Sequence, residues 1–143
     1  MLLTIGFTKK SASEFFGLLR DAGVRRVLDV RLNRTSQLAG FAKEKDLRFF
    51  LAELGGIDHV VVDALAPTAD LLDAYRSKSI GWPDYEKGYR ALLAERRVEG
   101  LVSRDMLEGG CLLCSEHTAE MCHRRVAAEY LANHFEDLAV RHL

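Results

Sequence analysis

The strongest constraint on the fold lies at the start of the chain, where two apolar runs flank an amphipathic segment. The first run, LLTIGFT, and the second, VRRVLDVR, are each typical of a buried strand. Between them, the Ser-x-x-Glu pattern from Ser11 to Glu14 predicts the start of a helix, and apolar residues follow at helical spacing until Gly23. Strand, helix and strand within about 30 residues predict a βαβ unit with parallel strands.

The rest of the chain continues this alternation. Further helices are predicted over about 42–54, 69–77 and 83–95, with a short helical or irregular piece over 99–109 and a long helix from Thr118 to about His134. Further strands are predicted at IDHVVVDAL, GCLLCSE and LAVRHL. The predicted fold class is therefore α/β, a three-layer sandwich with a mostly parallel central sheet of about five strands flanked by helices.

Length and composition narrow the class of protein. The chain has 143 residues, which suits a single α/β domain over 1–143, and its formal net charge of −1 gives no basic field for nucleic acid or anionic membranes. No apolar stretch is long enough to span a membrane, and MLLTIGFTKK does not resemble a secretory signal. Three cysteines without an export signal predict reduced thiols in a cytoplasmic protein.

Polar residues follow several of the predicted strands. In open parallel sheets, ligands bind outside the carboxyl ends of the strands. Thr8 follows the first strand, Asp29 and Arg31 end the second, and Cys114 and Glu116 end the fourth. We therefore expect these side chains to lie near one another at one edge of the sheet.

The run CSEHTAEMCHR, residues 114–124, holds the densest chemistry in the chain. Cys111 and Cys114 have Cys-x-x-Cys spacing, but residues three apart in a strand point to opposite faces, so Cys111 is predicted to lie in the core. Cys122 and His123 would lie about 100° apart around the following helix, so only one of them is expected to face Cys114. This leaves at most three convenient zinc ligands, and we predict no metal, with a metal site kept as an alternative.

A reactive thiol is a second interpretation of the same run. Cys114, at a strand tip just before a helix, would have its thiolate stabilised by backbone N–H groups and the helix dipole. The Cys-x5-Arg pattern of thiol phosphatases is absent, because Glu120 stands six residues after Cys114 and Arg124 comes later. A third interpretation is structural: Cys114 and Cys122 pack in the core, and Glu116 and Arg124 form an internal ion pair.

The end of the second strand and the loop beyond it suit an anion. Asp29 and Arg31 lie on one face of the strand, where they either pair or point into a cleft. In the following loop, Arg34 and Ser36 offer guanidinium and hydroxyl donors for a phosphate or carboxylate. Thr8 adds a hydroxyl at the first strand tip. The alternative is a solvated loop beside a structural Asp–Arg pair.

These motifs resemble, nearly end to end, those of the domain of unknown function 488 family, in the branch with a Leu-Ala-Pro-Thr motif. The resemblance rests on Thr4-Ile5-Gly6, Asp29-Val30-Arg31, Ser36 with Phe41, Leu65-Ala66-Pro67-Thr68, Leu113-Cys114-Ser115-Glu116 and Cys122-His123-Arg124. It implies a compact α/β domain with polar strand tips, and it supplies no reaction. The family's usual Thr-Ile-Gly-His-Ser ends here in Phe7-Thr8, which removes a candidate base or ligand, and Leu32 replaces the proline that typically follows Asp-Val-Arg.

The predicted protein is a small cytoplasmic α/β protein with a strand-tip pocket of Cys, Glu, Asp and Arg, and whether it is an enzyme is left open. The first interpretation is an enzyme acting through a thiolate on a phosphate- or carboxylate-bearing, nucleotide-like substrate. The predicted catalytic residues are Cys114, Glu116 and Asp29, the substrate-binding residues are Arg31, Arg34, Ser36, Arg124 and Thr8, and Cys122 and His123 form the pocket wall. The alternative is a non-catalytic binding module, either metal-stabilised or associated with nucleic-acid machinery, although the net charge does not support a nucleic-acid partner. The cofactor is left open.

Overall fold

The computed structural model describes residues 1–35, 39–116 and 118–143, so the predicted site residue Ser36 lies outside the described residues. The elements follow one another as β1 (Leu2–Gly6), α1 (Ala12–Asp21), β2 (Arg26–Asp29), α2 (Glu44–Gly55), β3 (Asp58–Val61), α3 (Ala69–Arg76), α4 (Trp82–Arg96), α5 (Arg104–Leu107), β4 (Gly110–Cys114), α6 (His123–His134) and β5 (Val140–His142). Short 3-10 turns stand before α2, α3 and α5. None of the helices in the described ranges is long and apolar enough to cross a bilayer.

The five strands form one parallel sheet in the order β3-β2-β4-β1-β5. Helices α1 and α2 pack on one face, whereas α4 and α6 pack against each other on the opposite face. The predicted α/β class, with a parallel sheet of five strands between helical layers, is confirmed.

The position of β4 creates a crevice at the carboxyl edge of the sheet. This strand lies between β1 and β2, and its own connection, through α6, leaves on the face opposite to theirs. Adjacent strands whose connections leave in opposite directions form the topological switch point at which α/β proteins bind ligands. Cys114, the last residue of β4, pairs with Gly6 of β1 at this edge.

Alternation along the strands fills two separate cores. Cys111 and Leu113 of β4 join the core beneath α1 and α2, and Leu112 joins the core beneath α4 and α6. Cys114 therefore belongs to the α6 side of the sheet, and the prediction that Cys111 is a core residue facing away from Cys114 is confirmed.

The start of α6 differs from the prediction. Thr118 does not cap the helix, which begins at His123 with Cys122 as its N-cap residue in an extended conformation. Residues 118–122 form bends and turns instead, and Arg125 donates from Nε to the Glu120 carbonyl at 2.9 Å across this segment. Thr118 is a residue type that commonly caps helices, which is why the sequence predicted the earlier start. The later start is fixed by contacts of the first helical turn, in which His123 binds Val30 and Arg124 binds Glu116.

Candidate functional site

A cleft opens at the carboxyl ends of β2 and β4. One wall comes from the loop after β2, another from α3 and the start of α4, and a third from the loop between β4 and α6. Cys114, Cys122 and His123 line its buried side and are 2%, 2% and 8% exposed. The run that carries the densest chemistry in the sequence thus lies at the topological switch point.

Cys114, Cys122 and His123 converge on one another. Their potential ligand atoms, two Sγ and one ring nitrogen, all lie within 4.8 Å. Nδ1 of His123 is 3.4 Å from Sγ of Cys114, and Nε2 is 2.9 Å from the carbonyl oxygen of Val30. The ring is therefore fixed between the tips of β4 and β2, with one nitrogen directed at the sulfur.

The expectation that only one of Cys122 and His123 faces Cys114 is wrong. It assumed that both residues are helical and hence about 100° apart. Cys122 is instead extended, with φ −137° and ψ 138°, and only His123 has entered the helix. The change of backbone conformation between the two residues directs both side chains to the same sulfur.

The surroundings of Cys114 favour its thiolate. The hydrogen bond from the Cys122 thiol lowers the pKa of Cys114 well below its usual value, burial opposes this, and the His123 charge and the Glu116 backbone N–H lower it further. Burial lowers the pKa of His123, but the neighbouring Cys114 thiolate outweighs burial and raises it overall. The pKa of Cys122 is raised, first because its thiol donates to Cys114 and second because it is buried. The favoured state is a Cys114 thiolate, a His123 imidazolium and a neutral Cys122 thiol.

Asp29 and Arg31 pair with each other in the protein interior. Nε and Nη2 of Arg31 donate to the two carboxylate oxygens at 2.9 and 2.8 Å, and Nη1 donates to the Ala42 carbonyl at 2.7 Å. Nε2 of His59 is 2.9 Å from the same carboxylate. Burial opposes ionisation of Asp29, but these hydrogen bonds hold its pKa below the ordinary value. The pair orders the loop after β2, where Arg31 lines the cleft.

Phe7, which follows β1, lies against the guanidinium of Arg31. Its ring is 1% exposed, and the Arg31 guanidinium carbon lies 5.4 Å from the ring centroid. The aromatic ring therefore supports the buried guanidinium by a cation–π contact.

The remaining predicted residues occupy two regions. Arg124 is fully buried and donates from Nη1 to the backbone carbonyl of Glu116 at 2.6 Å. The Glu116 side chain is exposed and lines the cleft. Thr8 donates its backbone N–H to the Ser115 carbonyl at 3.0 Å, and its hydroxyl donates to the same oxygen.

Arg34 is not among the described residues that line the cleft, and it binds Glu44 at 3.3 Å and Asp63 at 3.2 Å.

An aromatic wall, formed by Tyr75, Trp82 and Tyr85, was not predicted from the sequence. The ring centroids of Tyr75 and Tyr85 are 4.9 Å apart, and that of Trp82 lies 5.4 Å from Tyr85. Arg76 lies beside this wall at the rim of the cleft. Trp82 and Tyr85 are one helical turn apart, and this spacing was the available signal. The missing information was that α3 folds back on α4 and brings Tyr75 to them.

A family profile described as Domain of unknown function DUF488 matches residues 11–131. The chain belongs to this family. The matched range includes Asp29, Arg31, Cys114, Cys122 and His123, so the DUF488 region carries the floor of the cleft. The predicted family is confirmed, and the branch with a Leu-Ala-Pro-Thr motif stays a prediction. Searches of curated proteins and of solved structures gave no significant match.

The arrangement supports two kinds of chemistry in this DUF488 chain. A thiolate held by three donors beside an imidazolium is suited to nucleophilic catalysis. Alternatively, two sulfurs and one imidazole nitrogen match three of the four ligands of a zinc site. Within the described ranges, this is the only group of three or more such ligands that meets so closely.

Proposed function

We propose that this DUF488 protein is an enzyme in which the Cys114 thiolate attacks a small anionic, ring-bearing substrate held in the cleft. The observation that carries this proposal is the 3.4 Å contact between Cys114 Sγ and His123 Nδ1 on the buried side of the cleft. Cysteine nucleophiles are activated by such a pairing with a histidinium near a helix N-terminus.

The three floor residues have different roles in this proposal. Cys114 forms the covalent bond to the substrate, and the His123 imidazolium gives its Nδ1 proton to the leaving group. Cys122 remains protonated and stabilises the thiolate through its S–H. A thiolate of lowered pKa is also a good leaving group, so the covalent intermediate is readily broken down.

Asp29, Arg31 and Arg124 act as positioning residues in this proposal. Arg31 uses three of its nitrogens on Asp29 and Ala42, and Arg124 holds the Glu116 carbonyl. Together they fix the loops on either side of Cys114. The Glu116 carboxylate, exposed at the cleft, remains the candidate acid–base group.

The substrate class follows from the cleft wall. The aromatic wall offers surface on which a planar ring stacks, as nucleobases do. Arg76 is exposed at the rim, and in the described part of the chain its guanidinium makes no salt bridge, so it is available to an anionic group. A ring and an anion on one small molecule describe a nucleotide-like substrate.

Binding is tested through Trp82, the only tryptophan in the chain. Titration with nucleoside monophosphates should change the Trp82 fluorescence, and ribose 5-phosphate, which lacks the base, should bind about 5- to 160-fold more weakly if ring stacking contributes about 1–3 kcal/mol. Arg76→Gln should weaken nucleotide binding, whereas Arg20→Gln, on α1 at the opposite face, should not. Equal binding to wild-type protein and Arg76→Gln would contradict the substrate class.

The nucleophile is tested separately by alkylation. Iodoacetamide should modify Cys114 first among the three cysteines, as located by peptide mass mapping, and bound nucleotide should slow the reaction. Alkylation of Cys111 or Cys122 before Cys114 would overturn the assignment of the thiolate.

A zinc-dependent function is the second candidate, and the orientation of His123 favours it. Ligating histidines usually donate their second ring nitrogen to a carbonyl or carboxylate, as Nε2 of His123 does to Val30. Cys114, Cys122 and His123 would then supply three ligands, and the fourth position would face the cleft. Protein purified without a polyhistidine tag and containing one zinc per chain, with Cys114 alkylated only after chelation, would favour this function over the thiolate.

A further inference from the structure

We propose that Cys114 and Cys122 are a redox-active pair, in which Cys114 reduces a small hydroperoxide and Cys122 resolves the product as an intramolecular disulfide. This activity goes beyond the proposed substrate chemistry. It rests on the same thiolate but requires a second, specific thiol, which the nucleophilic function does not.

The proximity of the two sulfurs carries this inference. Their Sγ atoms lie within 4.8 Å of each other on the buried side of the cleft. A disulfide requires an S–S separation of about 2.05 Å, so one sulfur must move toward the other. Redox-sensitive cysteines are characteristically thiolates placed beside such a resolving thiol.

The backbone around Cys122 suits that movement. Cys122 is the N-cap residue of α6, yet its side chain makes no hydrogen bond to the helix end. Rotation of its side chain toward Cys114 therefore breaks no cap. Residues 118–121, which precede it, lie in bends and turns and make no ladder with the sheet.

Access to the pair is through the cleft. Both sulfurs line it, although each cysteine is 2% exposed. A molecule as small as hydrogen peroxide can reach Cys114 by this route. Cys111 is fully buried in the other core, where desolvation raises its pKa, so it remains an unreactive thiol.

The reaction balances without any metal or cofactor. The Cys114 thiolate attacks the hydrogen-bearing terminal oxygen of the hydroperoxide, the O–O bond breaks, and the departing alkoxide or hydroxide takes a proton from His123, leaving a sulfenic acid. The Cys122 sulfur then attacks the Cys114 sulfur and loses its thiol proton, and the sulfenic hydroxyl leaves with that proton as water. Two thiols have lost two electrons and the peroxide has gained them. A dithiol reductant, such as dithiothreitol, restores both thiols by exchange.

The consequence is a reversible block of the nucleophile. While the disulfide is present, Cys114 has no thiolate to offer a substrate. Reduction by a cellular dithiol returns the proposed enzyme to its active form.

The test uses full-length reduced protein treated with hydrogen peroxide. Thiols titrated in denaturant should fall from three to one, and intact mass should fall by the two thiol hydrogens. Peptide mapping without reductant should show Cys114 joined to Cys122 of the same chain. Dithiothreitol should restore all three thiols.

Variants separate the two cysteines. Cys122→Ser should leave the sulfenic acid of Cys114 unresolved, so that dimedone traps it, and Cys111→Ser should form the same disulfide as wild-type protein. The redox pairing is overturned if wild-type and Cys122→Ser proteins give the same overoxidised products, or if any disulfide formed joins two chains.

The two proposals fail in different ways. Rapid alkylation of Cys114 without disulfide formation would remove the redox pairing and leave the nucleophilic function intact. A Cys114 that reacts with neither iodoacetamide nor peroxide, in protein shown to be folded by circular dichroism, would overturn both.

Discussion

The protonation state of Cys114 depends on three neighbouring groups: the Cys122 thiol, the Glu116 backbone N–H and the His123 ring. Of these, only His123 carries a positive charge. Because the pKa of Cys114 is lowered in the folded protein, its thiolate persists at a pH where an ordinary cysteine is protonated. The rate of alkylation by iodoacetamide should therefore stay nearly constant from neutral into acidic pH. A thiol with a pKa of about 8.5 would instead lose about tenfold in rate for each pH unit below that value.

Substitution of His123 tests whether its charge is responsible. In His123→Asn, an amide near the Nδ1 position keeps a hydrogen-bond donor but removes the positive charge, so the pKa of Cys114 should rise and alkylation at acidic pH should slow. Each unit of rise slows the reaction about tenfold once the pH is below the new pKa. His134→Asn, at the other end of α6, serves as the control. If the pH profile of His123→Asn were unchanged, the Cys114 thiolate would be stabilised by the Cys122 thiol and the backbone N–H alone.

Asp29 offers a second prediction at the scale of the residue, and this one concerns stability. The Asp29 side chain is fully buried and pairs with Arg31, whose side chain is 3% exposed. Asp29→Asn leaves that buried guanidinium without its charge partner, so the free energy of unfolding should fall by about 3–5 kcal/mol. Asp63→Asn removes an exposed partner of Arg34 and should lower it by less than about 1 kcal/mol. Urea denaturation measures both values.

The pH dependence of the same pair has a definite sign. The folded pKa of Asp29 lies below its unfolded value, so its contribution is fully present above about pH 4 and is lost as the pH falls through the folded pKa. Wild-type protein should lose stability over this acidic range, and Asp29→Asn should lose less. Equal losses in both proteins would show that other carboxylates govern acid unfolding.

The sequence predicted correctly those features that depend on residues close together in the chain, such as which side chains share one face of a strand. It placed Asp29 and Arg31 on one face of β2 and left open whether they pair, and the structure shows that they do. It did not connect His59 with Asp29, although β3 lies beside β2 and brings Nε2 of His59 to 2.9 Å from the carboxylate. That contact depends on strand order, which the spacing of the residues does not contain.

At the scale of secondary-structure elements, the site depends on how closely the end of β1 approaches the chain that leaves β4. Gly6 lies opposite Cys114, and a Cβ added there would overlap the carbonyl oxygen of Glu116 and the guanidinium of Arg124. A residue with a side chain at position 6 must therefore displace the loop that supplies the Glu116 N–H to Cys114.

Gly6→Ala should accordingly destabilise the protein and weaken the thiolate together. We expect a loss of about 1–3 kcal/mol in the free energy of unfolding, as overpacking commonly gives, with slower alkylation of Cys114 at acidic pH. Gly17→Ala is the matched control, because it stands inside α1 and, apart from its chain neighbours and the backbone of its own helix, no described atom lies within 4 Å of the added Cβ. That substitution should stabilise by about 0.5–1 kcal/mol. A Gly6→Ala protein as stable and as reactive as wild type would contradict the close approach.

The helices show why element boundaries near the site escaped prediction. The predicted cap at Ser11 is present, with the Glu14 N–H donating to the Ser11 hydroxyl at 3.1 Å, because it needs only local contacts. The start of α6 is set by distant ones: Nε2 of His123 binds Val30, and Arg124 binds Glu116. Convergence of Cys122 and His123 on Cys114 follows from this later start.

At the scale of the whole molecule, the sheet joins two cores that share no side chain among the described residues. Leu51 lies in the core beneath α1 and α2, whereas Trp82 packs against the core beneath α4 and α6. Strand residues alternate between these cores, so a strand cannot lose its packing on one face and keep its geometry on the other. We therefore propose that residues 1–143 unfold as one domain.

Leu51→Ala tests that cooperativity, because it removes a fully buried side chain on the face opposite to the only tryptophan. The free energy of unfolding should fall by about 2–5 kcal/mol, and the urea transition followed by Trp82 fluorescence should shift by the same amount as that followed by far-ultraviolet circular dichroism. Leu54→Ala, on the same helix at a position 48% exposed, should shift both by about 0.5 kcal/mol or less. If the Trp82 transition of Leu51→Ala stayed where it is in wild type, the two helical layers would unfold independently. The aromatic wall of the cleft belongs to the layer of α3 and α4, whereas Arg31 is anchored to Ala42 in the layer of α1 and α2. If these layers unfolded independently, the cleft would open without global unfolding.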